Sequence, residues 1–286
     1  MPVGSEDGTP RRPLPTTLFA TELSARIISA LVLAGVALLA AYEGGWLFAA
    51  FWILAAVIVA AEWIGVTRAA PRGALLGVFG VGVAGTCILA LLDRPWWALS
   101  LGLIVVAFAL ALARRDDRPW IWACLPVAAV IGIVPPLVRE HPAFGLVGLL
   151  WMFAVVWTTD IAAFFTGRAL GGPKLWPRVS PKKTWSGFLG GLIAGTGAGV
   201  FVASAGASLG WAPVASLSLV AVVSAVGSVV SQGGDLAESA MKRRFDVKDS
   251  GHLIPGHGGV MDRLDGFWSV AVLAGLIMLA REAGLR

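Results

Sequence analysis

The sequence predicts an all-α, polytopic transmembrane bundle of about nine spans, with the N-terminus in the cytoplasm. Hydrophobic residues make up 57% of its 286 residues and charged residues only 14%, with a mean hydropathy of +0.82. Soluble domains are about 25% charged. The apolar residues come in runs of about 20, the length that crosses a bilayer. The basic residues also concentrate in alternate connecting segments, a pattern that orients membrane proteins.

The apolar runs divide the chain into spans and polar segments. The predicted spans are 23–42, 46–66, 73–92, 96–113, 119–138, 143–165, 186–207, 212–233 and 266–284. We predict a disordered cytoplasmic tail over 1–22, N-terminal transmembrane helices over 23–142 and a catalytic transmembrane region over 143–286. The lipid bilayer is therefore the expected environment of most of the chain.

The distribution of lysine and arginine tests the number of spans. With the N-terminus in the cytoplasm, 18 of the 22 basic residues fall in cytoplasmic segments. The four others are Arg94, Arg139, Arg281 and Arg286. One span too many or too few would move part of the basic residues to the other side and remove this asymmetry. The distribution therefore supports nine spans with the C-terminus outside.

Two classes of site are not expected. The pI of about 9.8 could suggest nucleic acid, but membrane orientation alone accounts for the basic loops, and we predict no nucleic-acid partner. Cys87 and Cys124 both lie in apolar runs without a short spacing. They are predicted to be small core residues, not metal ligands or a disulfide.

Two predicted cytoplasmic loops, 167–185 and 233–265, are longer and more polar than simple connections. The first contains Ser180-Pro181-Lys182-Lys183-Thr184. Two lysines beside two hydroxyls can bind several phosphate oxygens, with help from backbone N–H groups at the start of the next helix. A plain positive-inside anchor would also need lysines, and the residues alone do not decide between the two readings.

Asp160 precedes the first loop and lies near the cytoplasmic end of the sixth span. A carboxylate inside an apolar run costs at least about 2.5–3.5 kcal/mol, so it needs a reason to be there. Asp160 is predicted either to bind a metal ion or the substrate, or to form an ion pair with an Arg or Lys in the bundle. Apart from Asp160, the interiors of the predicted spans are expected to be nearly free of charge.

The second loop is rich in carboxylates. Asp235 and Glu238 share a face if the segment is helical, with Lys242 one turn beyond; a solvated amphipathic helix is the alternative reading. Asp262 and Asp265 lie just before the last span and are predicted to point one way from the first turn of its helix, where capping alone is the alternative. Converging carboxylates would suit Mg²⁺ held together with substrate phosphates.

Between these carboxylates runs Ile254-Pro255-Gly256-His257-Gly258-Gly259. Three glycines and a proline predict a tight, exposed backbone that a substrate can approach closely. We place His257 at the substrate site as part of this scaffold and not as a catalytic base, because phosphoryl nucleophiles are already ionised near neutral pH.

The ordered segment 239–265, SAMKRRFDVKDSGHLIPGHGGVMDRLD, resembles the signature of phosphatidate cytidylyltransferases, also called CDP-diacylglycerol synthases. The resemblance includes Asp160, Gly167-Arg168, the Ser-Pro-Lys-Lys-Thr loop and Gly234-Asp235, so it covers roughly the C-terminal half. The N-terminal half resembles the family only in being hydrophobic. The one departure is Ser186, where the family often has glutamate, which puts in doubt any role for an acid at this position.

The resemblance implies the reaction CTP + phosphatidate → CDP-diacylglycerol + pyrophosphate, dependent on Mg²⁺. It implies Mg²⁺ at Asp235 and Asp262, with Asp265 holding a second cation or completing the shell of the first. These three aspartates and Lys242 are the implied catalytic residues. The implied substrate-binding residues are Asp160, Ser180, Lys182, Lys183, Thr184, Arg243, Lys248, His257 and Arg263. A homodimer in the bacterial inner membrane, with a cytoplasmic active site, is also implied.

Three other functions remain open at this point. A CTP-dependent polyprenol kinase or a cytidylyltransferase for ether-linked archaeal lipids would share a CTP site but use another lipid. The ordered C-terminal segment argues against the kinase. An ion-binding transporter would need a charged pathway through several spans, and the nearly charge-free span interiors argue against it.

Overall fold

The chain folds into nine α-helices and one two-stranded sheet over residues 31–211, 216–254 and 258–284, which are the residues that this computed structural model describes. In chain order the elements are α1 (described over Leu31–Glu43), α2 (Gly45–Thr67), α3 (Arg72–Leu91), α4 (Pro95–Leu112), α5 (Arg118–Glu140), α6 (Gly145–Leu170), β1 (Lys174–Trp176), β2 (Ser180–Thr184), α7 (Trp185–Ser208), α8 (Leu217–Arg244) and α9 (Phe267–Glu282). The tail predicted over 1–22 lies outside the described residues.

Seven of these helices, α2 to α8, are long and apolar enough to cross a membrane. α9 has 16 residues, and its length of about 24 Å is slightly less than the bilayer core of about 30 Å. The predicted all-α polytopic bundle is confirmed. Cys87 and Cys124 are buried, free cysteines, in line with their predicted place in the core. The orientation of the bundle across the membrane stays a prediction.

The polar loops contain more regular structure than we predict from the sequence. α8 does not end at residue 233 but continues to Arg244, with side-chain contacts one turn apart along its polar extension. α6 similarly continues to Leu170. The segment 174–184 forms an antiparallel hairpin in which Lys174 is paired with Thr184. The all-α prediction did not include this hairpin.

An aromatic cluster joins the N-terminal helices to the C-terminal ones. Trp52 of α2 stacks on Phe267 of α9 with ring centroids 4.9 Å apart, and Phe153 of α6 lies 6.4 Å from the same tryptophan. Buried aromatic rings contribute large apolar areas to a core. The N-terminal half is therefore packed directly against the helices that carry the candidate site.

Small residues let α6 and α7 approach closely. A methyl group on Gly187 would lie 2.7 Å from the carbonyl oxygen of Ala163, and one on Gly191 would lie 2.9 Å from that of Thr159. Neither space would admit a side chain without a shift of backbone, as is typical of tightly packed membrane helices. This packing places the hairpin that precedes α7 beside the end of α6.

Candidate active site

The candidate site lies where the polar end of α8, the β1–β2 hairpin, the end of α6 and the segment before α9 meet. Gly234 makes this meeting possible, since a methyl group there would lie 2.6 Å from both the carbonyl oxygen of Asp265 and the hydroxyl of Ser269. Asp235, the next residue of α8, is consequently brought beside Asp265. A close backbone approach thus gathers carboxylates from separate segments.

The hairpin is attached to this group by an ion pair. Lys183 of β2 contacts the Oδ2 atom of Asp235, and both side chains are about one-quarter exposed (26% and 24%). The Oγ of Ser239, one turn along α8, donates to Oδ1 of Asp235 over 3.3 Å. Asp160 of α6 faces the same charges, with Asp235, Lys183 and Arg263 as its electrostatic neighbours. The site therefore holds acidic and basic groups side by side.

A second, more buried ion cluster lies further along α8. Lys242 donates from Nζ to Oε1 of Glu238 over 2.9 Å and to Oδ1 of Asp262 over 2.7 Å. The side chains of these three residues are 13%, 4% and 6% exposed, respectively. The cluster is shielded from water, so each buried charge needs its oppositely charged partner much more than a charge in an exposed ion pair does. The cluster fixes the segment before α9 to α8.

Asp262 is the best satisfied carboxylate in the site. Besides Lys242 on Oδ1, its Oδ2 accepts hydrogen bonds from the backbone N–H of Ser250 (2.8 Å), the hydroxyl of Ser250 (2.9 Å) and the backbone N–H of Gly259 (2.8 Å). Burial opposes ionisation of this group, but these donors outweigh burial and hold the pKa of Asp262 below its usual value of 3.8. The charged form therefore stabilises the fold at neutral pH. That contribution is lost as the pH falls below the usual value and through the lowered pKa.

Asp265 lies in the opposite electrostatic situation. Burial, reinforced by the charges of Asp235 and Asp160, raises the pKa of Asp265 from 3.8 to about 7, although the backbone N–H of Gly266 donates to its Oδ1 over 2.8 Å. Neighbouring carboxylates disfavour one another's ionisation, and a bound cation relieves that repulsion. Within the described residues Asp265 forms no ion pair, and burial together with its acidic neighbours outweighs the charge of the nearby Lys242.

The helical position predicted for Asp262 and Asp265 is wrong. Asp262 lies in a short 3₁₀ turn, Met261–Arg263, and α9 begins only at Phe267. Neither carboxylate is thus in the first turn of the last helix. The backbone of the preceding loop supplies the N–H donors that the helix start was expected to provide.

The carboxylates of the site are not equally available to bind a cation. Among the residues that the structure describes, no three Asp, Glu, His or Cys side chains already form a metal-ligating group. Asp160, Asp235 and Asp265 are nevertheless mutual neighbours, and their carboxylate oxygens are the donors that Mg²⁺ prefers. Asp262 fits less directly, because its Oδ2 has three donors and its Oδ1 is held by Lys242.

The predicted phosphate-facing residues divide into exposed cations and structural groups. Lys182, Arg243, Lys248 and Arg263 are exposed, and Ser180 is partly exposed on β2. Thr184 is buried and caps α7, accepting from the backbone N–H of Gly187 over 3.1 Å. Lys242 is held in the buried cluster described above. His257 lies outside the described residues, so its predicted place at the substrate site stays a prediction.

Ser186, where the sequence departs from the family, connects two helices. Its hydroxyl donates to the carbonyl oxygen of Gly171, just after α6, and lies 2.9 Å from the hydroxyl of Thr184. The side chain therefore helps to fix the start of α7 to the end of α6. At this position the chain thus has a hydroxyl that forms local hydrogen bonds, where the family often has a carboxylate.

Glu62 of α2 was not among the site residues predicted from the sequence. This residue lies inside the predicted span 46–66, so Asp160 is not the only carboxylate within a span. It accepts hydrogen bonds from the loop that carries Asp262, namely from the N–H groups of Val260 and Met261 and the hydroxyl of Ser250. The insertion cost that singled out Asp160 would have singled out Glu62 as well.

Comparison with known proteins gives the family of the chain. The sequence profile described as "Cytidylyltransferase family" matches residues 24–280, which is most of the chain. The chain belongs to the cytidylyltransferase family. The match includes the N-terminal helices, so the family relationship extends beyond the C-terminal half, which carries the resemblance in the signature residues.

Curated members of the family share both sequence and length with this chain. The phosphatidate cytidylyltransferase of Brucella suis is 44% identical over 259 residues, covering 88% of this chain and 92% of the relative. The phosphatidate cytidylyltransferase of Haemophilus influenzae is 38% identical over 179 residues, 59% of this chain and 61% of the relative. That of Bacillus subtilis is 41% identical over 130 residues, 46% of each chain.

Proposed function

We propose that this cytidylyltransferase transfers a cytidylyl group from CTP to phosphatidate, giving CDP-diacylglycerol and pyrophosphate. The observation that carries this proposal is the joining of Lys183, Asp235 and the Asp262 cluster at the polar end of α8, within a chain that is 44% identical to a phosphatidate cytidylyltransferase over most of its length. The product serves phospholipid biosynthesis. No contact in the described residues favours a polyprenol kinase or an ether-lipid enzyme.

In the proposed reaction, a phosphate oxygen of phosphatidate forms a bond to the α-phosphorus of CTP. The bond from that phosphorus to the oxygen bridging to the β-phosphorus breaks, and its electron pair leaves with pyrophosphate. The nucleophile is already ionised, so positioning and charge neutralisation supply most of the rate. The cations Lys182, Arg243, Lys248 and Arg263 are exposed and would attract and orient the phosphates.

The proposal includes dependence on Mg²⁺. Asp235 and Asp265, with Asp160 beside them, would hold the cation, and Asp262 would join through Oδ1 on releasing Lys242. When bound, Mg²⁺ would neutralise negative charge on the CTP phosphates. What supports this part is the mutual repulsion of the three neighbouring carboxylates. The family resemblance adds the proposals of a second cation and of a homodimer.

Activity of the purified protein tests the reaction and its metal requirement together. In detergent with CTP, phosphatidate and Mg²⁺, we expect a CDP-lipid and an equivalent amount of pyrophosphate, and we expect both to be lost with EDTA and restored by Mg²⁺. Asp235→Asn should raise the Mg²⁺ concentration needed for half-maximal rate by about 10-fold or more. Absence of a CDP-lipid from the wild type would reject the reaction, whereas full activity in EDTA would reject only the metal requirement.

The membrane side of the site is a separate proposal. We place the N-terminus and the hairpin in the cytoplasm of a bacterium, with the chain in its inner membrane, because CTP is cytoplasmic and 18 of the 22 basic residues would then lie on that side. Lys182→Cys and Arg94→Cys provide a matched pair of exposed positions predicted on opposite sides. The native Cys87 and Cys124 are buried and should react little.

A membrane-impermeant thiol reagent distinguishes the two orientations. In spheroplasts we expect it to label Arg94→Cys at least about five-fold more than Lys182→Cys, with the preference reversed in inverted vesicles, because the reagent reaches only one face. Detergent should make both positions reactive. The same preference in the opposite sense would place the hairpin outside and reject the proposed orientation.

A further inference from the structure

Glu62 binds the loop that precedes α9 with both of its carboxylate oxygens. Oε1 accepts from the backbone N–H of Val260 over 2.9 Å, and Oε2 accepts from that of Met261 over 2.7 Å. The hydroxyl of Ser250 donates to Oε2 over 3.1 Å. The partners are 188 to 199 positions away in the sequence. One side chain of the N-terminal half thus binds two separate parts of this segment, Ser250 and the pair Val260-Met261.

Two glycines of the loop make room for this carboxylate. A methyl group on Gly259 would lie 2.5 Å from each oxygen of Glu62, and one on Gly251 would lie 2.8 Å from Oε1. Distances this short are not tolerated between a carbon atom and an oxygen that must keep its hydrogen bonds. The loop sequence therefore accommodates Glu62 at two positions as well as donating hydrogen bonds to it.

The same contacts fix Asp262. The hydroxyl of Ser250 reaches both Glu62 (3.1 Å) and Oδ2 of Asp262 (2.9 Å), and Met261, bound by Glu62, directly precedes Asp262. Gly259, which packs on Glu62, donates its N–H to Asp262. Each group that orients Asp262 from the loop is consequently held, directly or through its neighbour, by Glu62.

We propose that Glu62 is a positioning residue for cytidylyl transfer, which fixes Ser250 and the segment from Gly259 to Asp262 in the arrangement that the reaction needs. It acts through the loop and does not itself contact substrate. This inference rests on the proposed reaction and gives the N-terminal half a part in it. Side chains that orient a reacting group from behind commonly change activity by about 10- to 100-fold when removed.

Glu62→Gln tests the proposal with little change in shape. Glutamine replaces one acceptor oxygen by an NH₂ group, which would then face an N–H of Val260 or Met261. We expect kcat per folded molecule to fall about 10- to 100-fold, with the KM for CTP changing less than about three-fold. Amide hydrogen exchange should accelerate over residues 258–262 and remain unchanged in α3 and α4.

Glu140→Gln is the matched control. Glu140 of α5 also accepts a long-range hydrogen bond from α2, but from the N–H of Gly45 at the opposite end of that helix, over 3.0 Å. We expect it to leave kcat within about two-fold of the wild type, because it does not contact the loop. Wild-type transfer activity, measured in parallel, separates failure of this inference from failure of the proposed reaction.

The coupling between Glu62 and Ser250 gives a second test. Ser250→Ala should lower kcat in the wild type but have a smaller effect when Glu62 is already glutamine, because both act on one hydrogen-bonded unit. If Glu62→Gln does not assemble, Ser250→Ala alone carries the kinetic and exchange measurements. Unchanged kcat in the folded variants, or a loss that matches only the loss of folded protein, would overturn the proposal.

Discussion

Replacement of Asp262 by asparagine should reduce cytidylyl transfer about 100-fold or more, with protein still present in the membrane. Asparagine can keep an oxygen toward Ser250 and Gly259, but its NH₂ group then faces the ammonium of Lys242. The ion pair is lost, and so is the charge available to a cation. The measurement is the initial rate of CDP-lipid formation by purified enzyme, per folded molecule, at saturating CTP.

Asp246→Asn is the appropriate control for this change. Asp246 is an exposed carboxylate just after α8, with a φ of 54° that asparagine also adopts readily. The substitution should leave the rate within about two-fold of the wild type. A wild-type rate in Asp262→Asn, or an equal loss in Asp246→Asn, would contradict the central role given to Asp262.

The fold was predictable because its determining signal is simple. Apolar runs of spanning length and the distribution of basic residues required neither contacts nor pairing, and α2 to α8 lie close to their predicted limits. The exception at residue 233 has a physical reason. Hydropathy indicates where a helix leaves the apolar core of the membrane. Beyond that point α8 continues to Arg244, stabilised by pairs one turn apart such as Glu238 and Lys242.

The site was predictable only in part, because its geometry depends on contacts between distant segments. The order of residues in 239–265 indicated the family, but no local pattern tells which donors a carboxylate will meet. Asp262 and Asp265 are three residues apart, and one has a lowered pKa while the other has a raised one. The pKa of Asp262 is lowered by hydrogen bonds from Lys242, Ser250 and Gly259, whereas that of Asp265 is raised by burial and then by the neighbouring carboxylates.

Glu62 shows a different limit of the sequence argument. Its three contacts join segments almost 200 residues apart, which periodicity cannot detect. A signal was nonetheless present, because a carboxylate within an apolar span is costly wherever it occurs. In the fold Glu62 binds backbone and hydroxyl donors of its own chain, so it does not supply the charged pathway that a transporter would need.

Lys242→Met should be the most destabilising of the single substitutions considered. It removes the ammonium that two buried carboxylates share, those of Glu238 and Asp262. Removing one partner of a buried ion cluster costs about 3–5 kcal/mol, because the remaining charge is left without compensation. We expect a clearly lower midpoint of thermal unfolding in detergent, followed by the intrinsic fluorescence of the tryptophans. Two of these, Trp63 and Trp120, line a cavity of about 250 Å³ beside Glu238.

A second substitution tests whether the uncompensated charge of Glu238 causes this loss of stability. Glu238 binds Lys242 through Oε1, while its Oε2 has no hydrogen-bond partner within the described part of the chain. Glu238→Gln alone should therefore cost about 1 kcal/mol or less, since Lys242 and Asp262 still form a balanced pair. Combined with Lys242→Met, it should recover about 1–2 kcal/mol of the loss, because one of the two uncompensated charges is gone. A strictly additive double variant would instead mean that the charge of Glu238 does not cause the loss in Lys242→Met, which would leave Asp262 as the uncompensated partner.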